Sequence, residues 1–333
     1  MSRIFIHGIG AVSPAGWGVP VLNRVIKDGA TLPVQTLVRP GWEKPLRVRT
    51  IPPPSSRPAF LAHPRLRRSG MMTHHIVAAA LEALGSDLAI GEGSRVRLGV
   101  IVCMMAGGVT YTRRFYEEVL REPATASPLV FPETVFNAAA SHLSAYLRSA
   151  TVNYTLVGDD GMFLQGLALA ADWLELDHAD ACLVVGAEEM DWIVADAVRL
   201  FRRGAIYTGG AGAVYLKKDQ PAAVELKTIT DAFSFTQKQS RATAMQKMVS
   251  QLGGGAREEL LCTGDEQPGM RDRYPGPHLA LKTMLGEAFV ASAAWQCVAG
   301  CAAVARQEYP AALVSISGTN QQAIGARLVA HRG

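Results

Sequence analysis

The chain has 333 residues, 49% of them apolar, enough to bury a sizeable core as one large domain or two ordinary ones. A net charge of +4 rests on short clusters, Arg65, Arg67 and Arg68 and again Arg199, Arg202 and Arg203. Clusters this small read as solvated faces; they argue against nucleic acid as a partner and leave weak steering of an acidic carrier protein. Five cysteines, an odd number with no secretion signal, indicate reduced, buried thiols and a cytoplasmic location.

The apolar run at the start, Met1 to Ile6, is too short for a signal peptide. Residues 3–6 read as a short strand leading into His7-Gly8-Ile9-Gly10-Ala11-Val12-Ser13-Pro14. The third glycine of a dinucleotide loop is missing and Pro14 stands where a helix should begin, so that fingerprint is rejected. A short helix follows over 21–29. Residues 32–58, rich in proline and arginine without a period, read as a surface loop. An amphipathic helix is expected over 73–84. His74 and His75, being adjacent, cannot form an i, i+4 ligand pair and read as capping or surface residues. The uninterrupted apolar run 97–105 reads as a strand in a sheet covered on both faces, and helices are expected over 111–120 and 135–147.

The most informative stretch is 153–192. It reads as a strand over 154–157, a sharp turn Gly158-Asp159-Asp160-Gly161, a long apolar helix, and a buried strand over 181–185 ending in Gly186-Ala187-Glu188-Glu189. Strand, tight turn and helix together lift one residue onto a helix N-terminus, where backbone N–H groups and the dipole act on it. Here that residue is Asp160. Asp159 or Asp160 as a helix N-cap is the plain reading, and an acid–base role is the alternative.

Beyond it, residues 193–207 precede a glycine-rich strand over 209–216. A strand over 224–233, a helix over 243–252, a strand and turn over 258–266, and closing strands over 312–316 and 326–330 complete the pattern, with Ser317-Gly318-Thr319-Asn320 between the last two. Residues 288–305 carry no charge over a length that could span a membrane. Their alanine content, with Ser292, Gln296 and Gly300, marks a buried core helix instead. Cys297 and Cys301 share one face of it as small core residues, with too few neighbouring ligands for a metal. Strands alternate with helices throughout, so the class is α/β.

These residues resemble the β-ketoacyl synthases of the thiolase superfamily over almost the whole chain. The likeness rests on the 153–192 unit, on Pro132 and Asn137 before it, on Gln165-Gly166-Leu167-Ala168, and on Asp180-Ala181-Cys182-Leu183. It implies one thiolase-like domain, a five-layered α-β-α-β-α fold of two similar halves, about 1–218 and 219–333. It implies neither cofactor nor metal. It also puts Asp160 in the place of the family's nucleophilic cysteine. In Leu261-Cys262-Thr263-Gly264-Asp265, Leu261 takes the place of the first catalytic histidine. In Lys282-Thr283-Met284-Leu285-Gly286-Glu287 the lysine is retained and Glu287 takes the place of the second. The family's oxyanion loop is kept in part around Gly318-Thr319-Asn320.

A scaffold retained around three changed positions resembles the chain-length factors, ketosynthase-like subunits that lack the nucleophile. That resemblance implies a non-catalytic subunit that pairs with an active β-ketoacyl synthase, meets acyl carrier protein, and shapes the acyl tunnel in polyketide, aryl-polyene or specialised fatty-acid biosynthesis. Its interface would be the strand Asn153, Tyr154, Thr155, Leu156 and Val157, with Phe131, Phe136 and Asn137 directed to the partner. Two alternatives stand beside it. One is an acyl-thioester enzyme (condensing, decarboxylating or hydrolytic) using Asp160, Glu287 or Lys282 in new roles; the other is a homodimeric acyl-binding protein.

Overall fold

The structure, a computed structural model, describes residues 2–39, 41–87, 96–148, 152–264 and 273–331. Its first strands are β1 (Ile4–Ser13), β2 (Gly16–Trp17), β3 (Gln35–Leu37), β4 (Leu46–Val48), β5 (Leu98–Met104), β6 (Asn153–Val157), β7 (Ala181–Glu188) and β8 (Gly210–Lys218). The later ones are β9 (Val224–Ile229), β10 (Phe233–Ser234), β11 (Leu260–Thr263), β12 (His278–Ala280), β13 (Ala311–Ser317) and β14 (Gln322–Ala330). The first five helices are α1 (Val19–Asp28), α2 (Met71–Leu84), α3 (Val109–Arg121), α4 (Ala138–Leu147) and α5 (Met162–Glu175). The rest are α6 (Trp192–Phe201), α7 (Arg241–Leu252), α8 (Leu281–Leu285) and α9 (Phe289–Ala305).

One twelve-stranded hydrogen-bonded ladder contains two five-strand runs that share one topology and act as two sheets. The first runs β1-β8-β7-β5-β6 and the second β9-β14-β13-β11-β12. In each, the first three neighbours are antiparallel and the last two pairings parallel. The repeat is therefore built into strand order, and the sheets meet where Phe5 pairs Glu225 and Ile6 pairs Val224. Helices α5 and α9 lie between the sheets, packing on β7 of the first and on β13 and β14 of the second. Outside them, α2 and α4 cover the first sheet and α7 the second, which completes five layers. The middle layer holds the largest core, with Phe163, Leu164, Leu167, Val184, Val290 and Val314 among its buried members.

The sequence pattern explains the middle layer directly. Every residue of α9 from Phe289 to Val304 is buried, so alanine and glycine dominate where backbone must pass between two sheets. All five cysteines are buried and none is in a disulfide; burial raises the Cys262 thiol to about 12.

Three local expectations are corrected. β1 is ten residues long, not four: Gly8 and Gly10 continue it because α2 crosses there, and a Cβ would lie 1.8 Å from the Ala83 carbonyl oxygen or 1.9 Å from that of Ala79. The stretch taken as a surface loop contains the β3–β4 hairpin, which buries Leu46 and Val48 and bridges Val48 to Tyr207. His75 is buried rather than at the surface. It packs edge-on to Trp17 with ring centroids 5.4 Å apart, and neither ring nitrogen has a hydrogen-bond partner among the described residues. Burial, with a smaller push from His74, lowers its pKa to about 3.

A buried four-charge network at the start of the central helix

β6 runs through Gly158-Asp159-Asp160-Gly161 into α5. Both aspartates of that turn are buried, and their carboxylates face different ways. Asp159 Oδ1 accepts from Gly161 N at 3.2 Å and from Gln322 Nε2 at 3.2 Å, and its Oδ2 accepts from Gln321 N at 2.8 Å. Asp159 thereby ties the turn to the Gly318–Gln322 loop before β14. That approach leaves no room for a side chain at Gly318, where a Cβ would lie 2.1 Å from Asp159 Oδ2.

Of the two aspartates the plain sequence reading offered as a cap, Asp159 is the one that accepts from a backbone N–H at the helix start, that of Gly161, and Asp160 is turned elsewhere. α5 starts at Met162, and no side chain caps it at Gly161. Asp160 Oδ2 instead accepts from Lys282 Nζ at 2.6 Å, and Oδ1 from Thr319 Oγ1 at 2.9 Å. Lys282 Nζ also donates to Glu287 Oε2 at 2.9 Å. Glu287 in turn pairs with Arg202 at the end of α6, and its Oε1 accepts from Phe289 N at 2.8 Å. The side chains of Asp160, Lys282 and Glu287 are 3%, 7% and 3% exposed, so the ions are out of water and Arg202, at 31%, is their link to the surface.

Two acids and two bases in series are neutral overall, the condition under which burial is tolerated. Burial opposes ionisation of Asp160, but the Lys282 charge and hydrogen bond, helped by Thr319, hold its pKa below the usual value. At Glu287 burial wins and, with the neighbouring Asp160 charge, raises the pKa despite Lys282 and Arg202. The backbone around the network is equally fixed: Glu287 N donates to Ile206 O at 2.8 Å and Thr208 N to Glu287 O at 2.9 Å. Glu188, at the end of β7, is also fully buried. It accepts from Met105 N at 2.7 Å and Ala106 N at 2.9 Å, and burial raises its pKa well above the usual range.

The structure thus gathers Asp160, Lys282 and Glu287 but not Leu261. Leu261 is buried on β11 in a separate apolar cluster with Met248, Leu252 and Leu313 on the far side of the second sheet. Asp265, four positions on in the same motif, lies outside the described residues. Sequence reasoning missed Arg202, which it placed on a solvated face, and the role of Thr319. His278 sits on β12 opposite Leu261, and His142 bonds Glu133 at 2.8 Å in a half-buried position.

β6 pairs with β5 on one side and with nothing on the other among the described residues. Tyr154 and Val157 are 52% and 46% exposed, and Phe131 and Phe136 are 55% and 46% exposed on the segment that leads to α4. That segment makes a 3-10 turn at Phe131–Glu133, and the helix expected over 135–147 starts three residues later, at Ala138, and ends at Leu147. Asn137 precedes α4, exposed and without a capping hydrogen bond from its side chain.

No family model matches the sequence. Among solved structures, a type II polyketide ketosynthase bound to a hexaketide, in complex with its acyl-carrier protein, superposes with a TM-score of 0.82 over 99% of both chains at 16% identity. The chain has the ketosynthase, thiolase-like fold. The ishigamide ketosynthase/chain length factor matches at a TM-score of 0.77 and 18% identity, covering 99% of this chain and all of the other. The ketosynthase–chain length factor complex from Xenorhabdus doucetiae matches at 0.80 and 14% identity, covering 99% and 98%. In sequence, 198 residues are 24% identical to a mitochondrial 3-oxoacyl-[acyl-carrier-protein] synthase of Schizosaccharomyces pombe. That match covers 56% of this chain and spans 46% of the yeast protein's length.

Proposed function

We propose that the protein is a non-catalytic, chain-length-factor-type subunit that pairs through β6 with an active β-ketoacyl synthase and shapes its acyl tunnel. The observation that carries this reading is the ion pair of Asp160 with Lys282. In the ketosynthase fold the start of the central helix offers a nucleophile; here the position holds a buried carboxylate whose charge is already neutralised. A carboxylate could take an acyl group only as a mixed anhydride, which holds it far less stably than a thioester does, and Asp160 is committed to two hydrogen bonds besides. Leu261, remote from the network, supplies no imidazole to assist decarboxylation.

The partner surface is the open edge of β6. An uncharged strand with Tyr154 and Val157 exposed, flanked by Phe131 and Phe136, is the edge that pairing with another strand would cover. An interface of this kind should bury at least about 2,000 Å². Acyl carrier protein is the second partner, met through the assembled pair. On this reading residues 1–333 act as one thiolase-like domain working in the cytoplasm, which its five reduced cysteines suit. Among the described residues no helix is long and apolar enough to cross a membrane.

One observation favours a second reading. Asp160 and Glu287 converge on one ammonium with pKa values moved in opposite directions, an arrangement also found in acid–base sites. The experiment that separates the two is co-expression of the tagged chain with active β-ketoacyl synthases, followed by purification and product analysis. Stoichiometric co-purification, with product formation that survives Asp160→Asn, is expected. A chain that turns over acyl thioesters alone, or whose Asp160→Asn complex assembles without making product, overturns the non-catalytic reading.

A further inference from the structure

Of the ion pairs made by Lys217, Lys218, Lys227 and Lys282, that of Lys282 with Asp160 is distinct. Both side chains are under 10% exposed, and a second carboxylate touches the same ammonium. An amine, a carboxyl and a neighbouring proton carrier held together in a dry interior are the reactants of amide formation. We infer that Lys282 and Asp160 are joined by an intramolecular amide, with Glu287 carrying the protons.

The step balances without any co-reactant. Within the ion pair Lys282 Nζ first passes one proton to Asp160 Oδ2, 2.6 Å away, giving a neutral amine beside a neutral carboxyl. The amine lone pair then adds to Asp160 Cγ, and the single negative charge of the tetrahedral centre falls on Oδ1, where Thr319 Oγ1 donates at 2.9 Å and the start of α5 adds its dipole. The nitrogen, now positive, gives its surplus proton to Glu287 Oε2, 2.9 Å from Nζ. Glu287 returns that proton to the Oδ2 hydroxyl as the Cγ–Oδ2 bond breaks with its electron pair, and the oxygen leaves as water. One ammonium and one carboxylate become one neutral amide and one water, and Glu287 returns to its starting state.

Three features favour this direction. Burial penalises the two charges of the ion pair and not the amide that replaces them. Burial also makes Glu287 a better proton acceptor than an ordinary glutamate, since its pKa is raised. Finally, the reactants are fixed by their surroundings: Lys282 N donates to Gly264 O at 2.9 Å, and the Lys282 stem fills the space over Gly264. The resting ion pair, with Asp160 ionised, is the state the amide forms from. The bond would span 122 positions and tie the first half of the chain to the second.

The test uses the full chain, freshly purified and again after incubation at mildly alkaline pH. Denatured intact mass is read first, then tryptic peptides by tandem mass spectrometry. The expected result is a mass one water below that of the sequence, with a branched peptide in which Lys282 escapes cleavage and is joined to Asp160. Asp160→Asn should give the same branch with loss of ammonia, while Lys282→Met and Asp160→Ala should keep their full masses. Asp160-Gly161 can also lose water by closing to a succinimide, so a water loss that persists in Lys282→Met overturns the inference. A full-mass chain with Lys282 cleaved normally after incubation overturns it too. Neither outcome bears on whether the chain pairs with a ketosynthase, which co-purification reads independently.

Discussion

Removing Lys282 is the sharpest probe of the network. In Lys282→Met the stem is replaced by an apolar chain of similar length, and Asp160 keeps the Thr319 hydroxyl and its own backbone N–H but no counter-charge in contact among the described residues. Glu287 keeps Arg202. Breaking a buried pair from one side costs about 3–5 kcal/mol, because the remaining charge is stranded. With the Asp160 and Glu287 side chains each 3% exposed, little solvent screening reduces that figure. The effect should be read by urea unfolding, followed through the buried Trp295 and Trp173, on material of full sequence mass so that no amide contributes. The pH dependence should also reverse. In the native chain Asp160 has a depressed folded pKa, so its stabilisation is present above the unfolded value near 3.9 and fades as pH falls through the folded one. Without Lys282, burial raises the folded pKa above the unfolded one, and the variant should regain stability as pH falls towards about 4. Adding Asp160→Asn to Lys282→Met should restore most of the loss at neutral pH, since no stranded charge remains there. A Lys282→Met chain within about 1 kcal/mol of the native one, with an unchanged pH profile, would refute this account of the network.

The protein should resist acylation: incubation with acyl-carrier or acyl-CoA thioesters is expected to leave its intact mass unchanged, and a stable stoichiometric acyl adduct would contradict the proposed function. Val157→Lys places a charge on the open edge of β6 at a position already 46% exposed. It should alter the isolated chain's stability by no more than about 0.5 kcal/mol while abolishing co-purification with a ketosynthase, and retained assembly would point to another interface. His75 stays neutral in the fold, with a pKa of about 3, whereas the unfolded chain takes up its proton below about 6.5. Stability should therefore fall as pH drops, by about 3 kcal/mol at pH 4 relative to neutrality, and His75→Phe should remove that part of the slope in parallel urea titrations.

Where a strand is buried on both faces, as β5 and β7 are, its apolar run identifies it without help. β1 was harder because Gly8 and Gly10 look like a loop until α2 is seen to cross them. The β3–β4 hairpin was harder still: only Leu46 and Val48 are buried, too few to make an alternating pattern. His75 looks like its neighbour His74 in one dimension, and only the packing of Trp17 separates their fates. At the site, the spacing of Lys282, Gly286 and Glu287 and the turn around Asp160 were visible, since each is local. Their mutual contact was not. Arg202 and Glu287 are 85 positions apart, and Thr319 and Asp160 are 159 apart, so no local period links them. The cap reading of Asp160 failed for the same reason, because a local principle was outweighed by a distant ammonium.

The network also shows why these residues form a set. Asp160 and Arg202 come from the first half of the chain, and Lys282, Glu287 and Thr319 from the second, so each buried ion faces a counter-charge across the repeat. Only Lys282 with Glu287 pair within one half. Removing Asp160 or Glu287 alone leaves two cations of the network against one anion. A change at any member therefore costs more singly than in company, the non-additivity expected of groups in contact. An aspartate at the start of the central helix is thus more than a missing thiol: it is one pole of a clamp between the halves, placed directly after the strand whose free edge faces outward. Strand pairing at β6 would set the position of the turn, and the turn sets Asp160. Assembly and the integrity of the network are expected to be coupled through those four residues, Gly158 to Gly161.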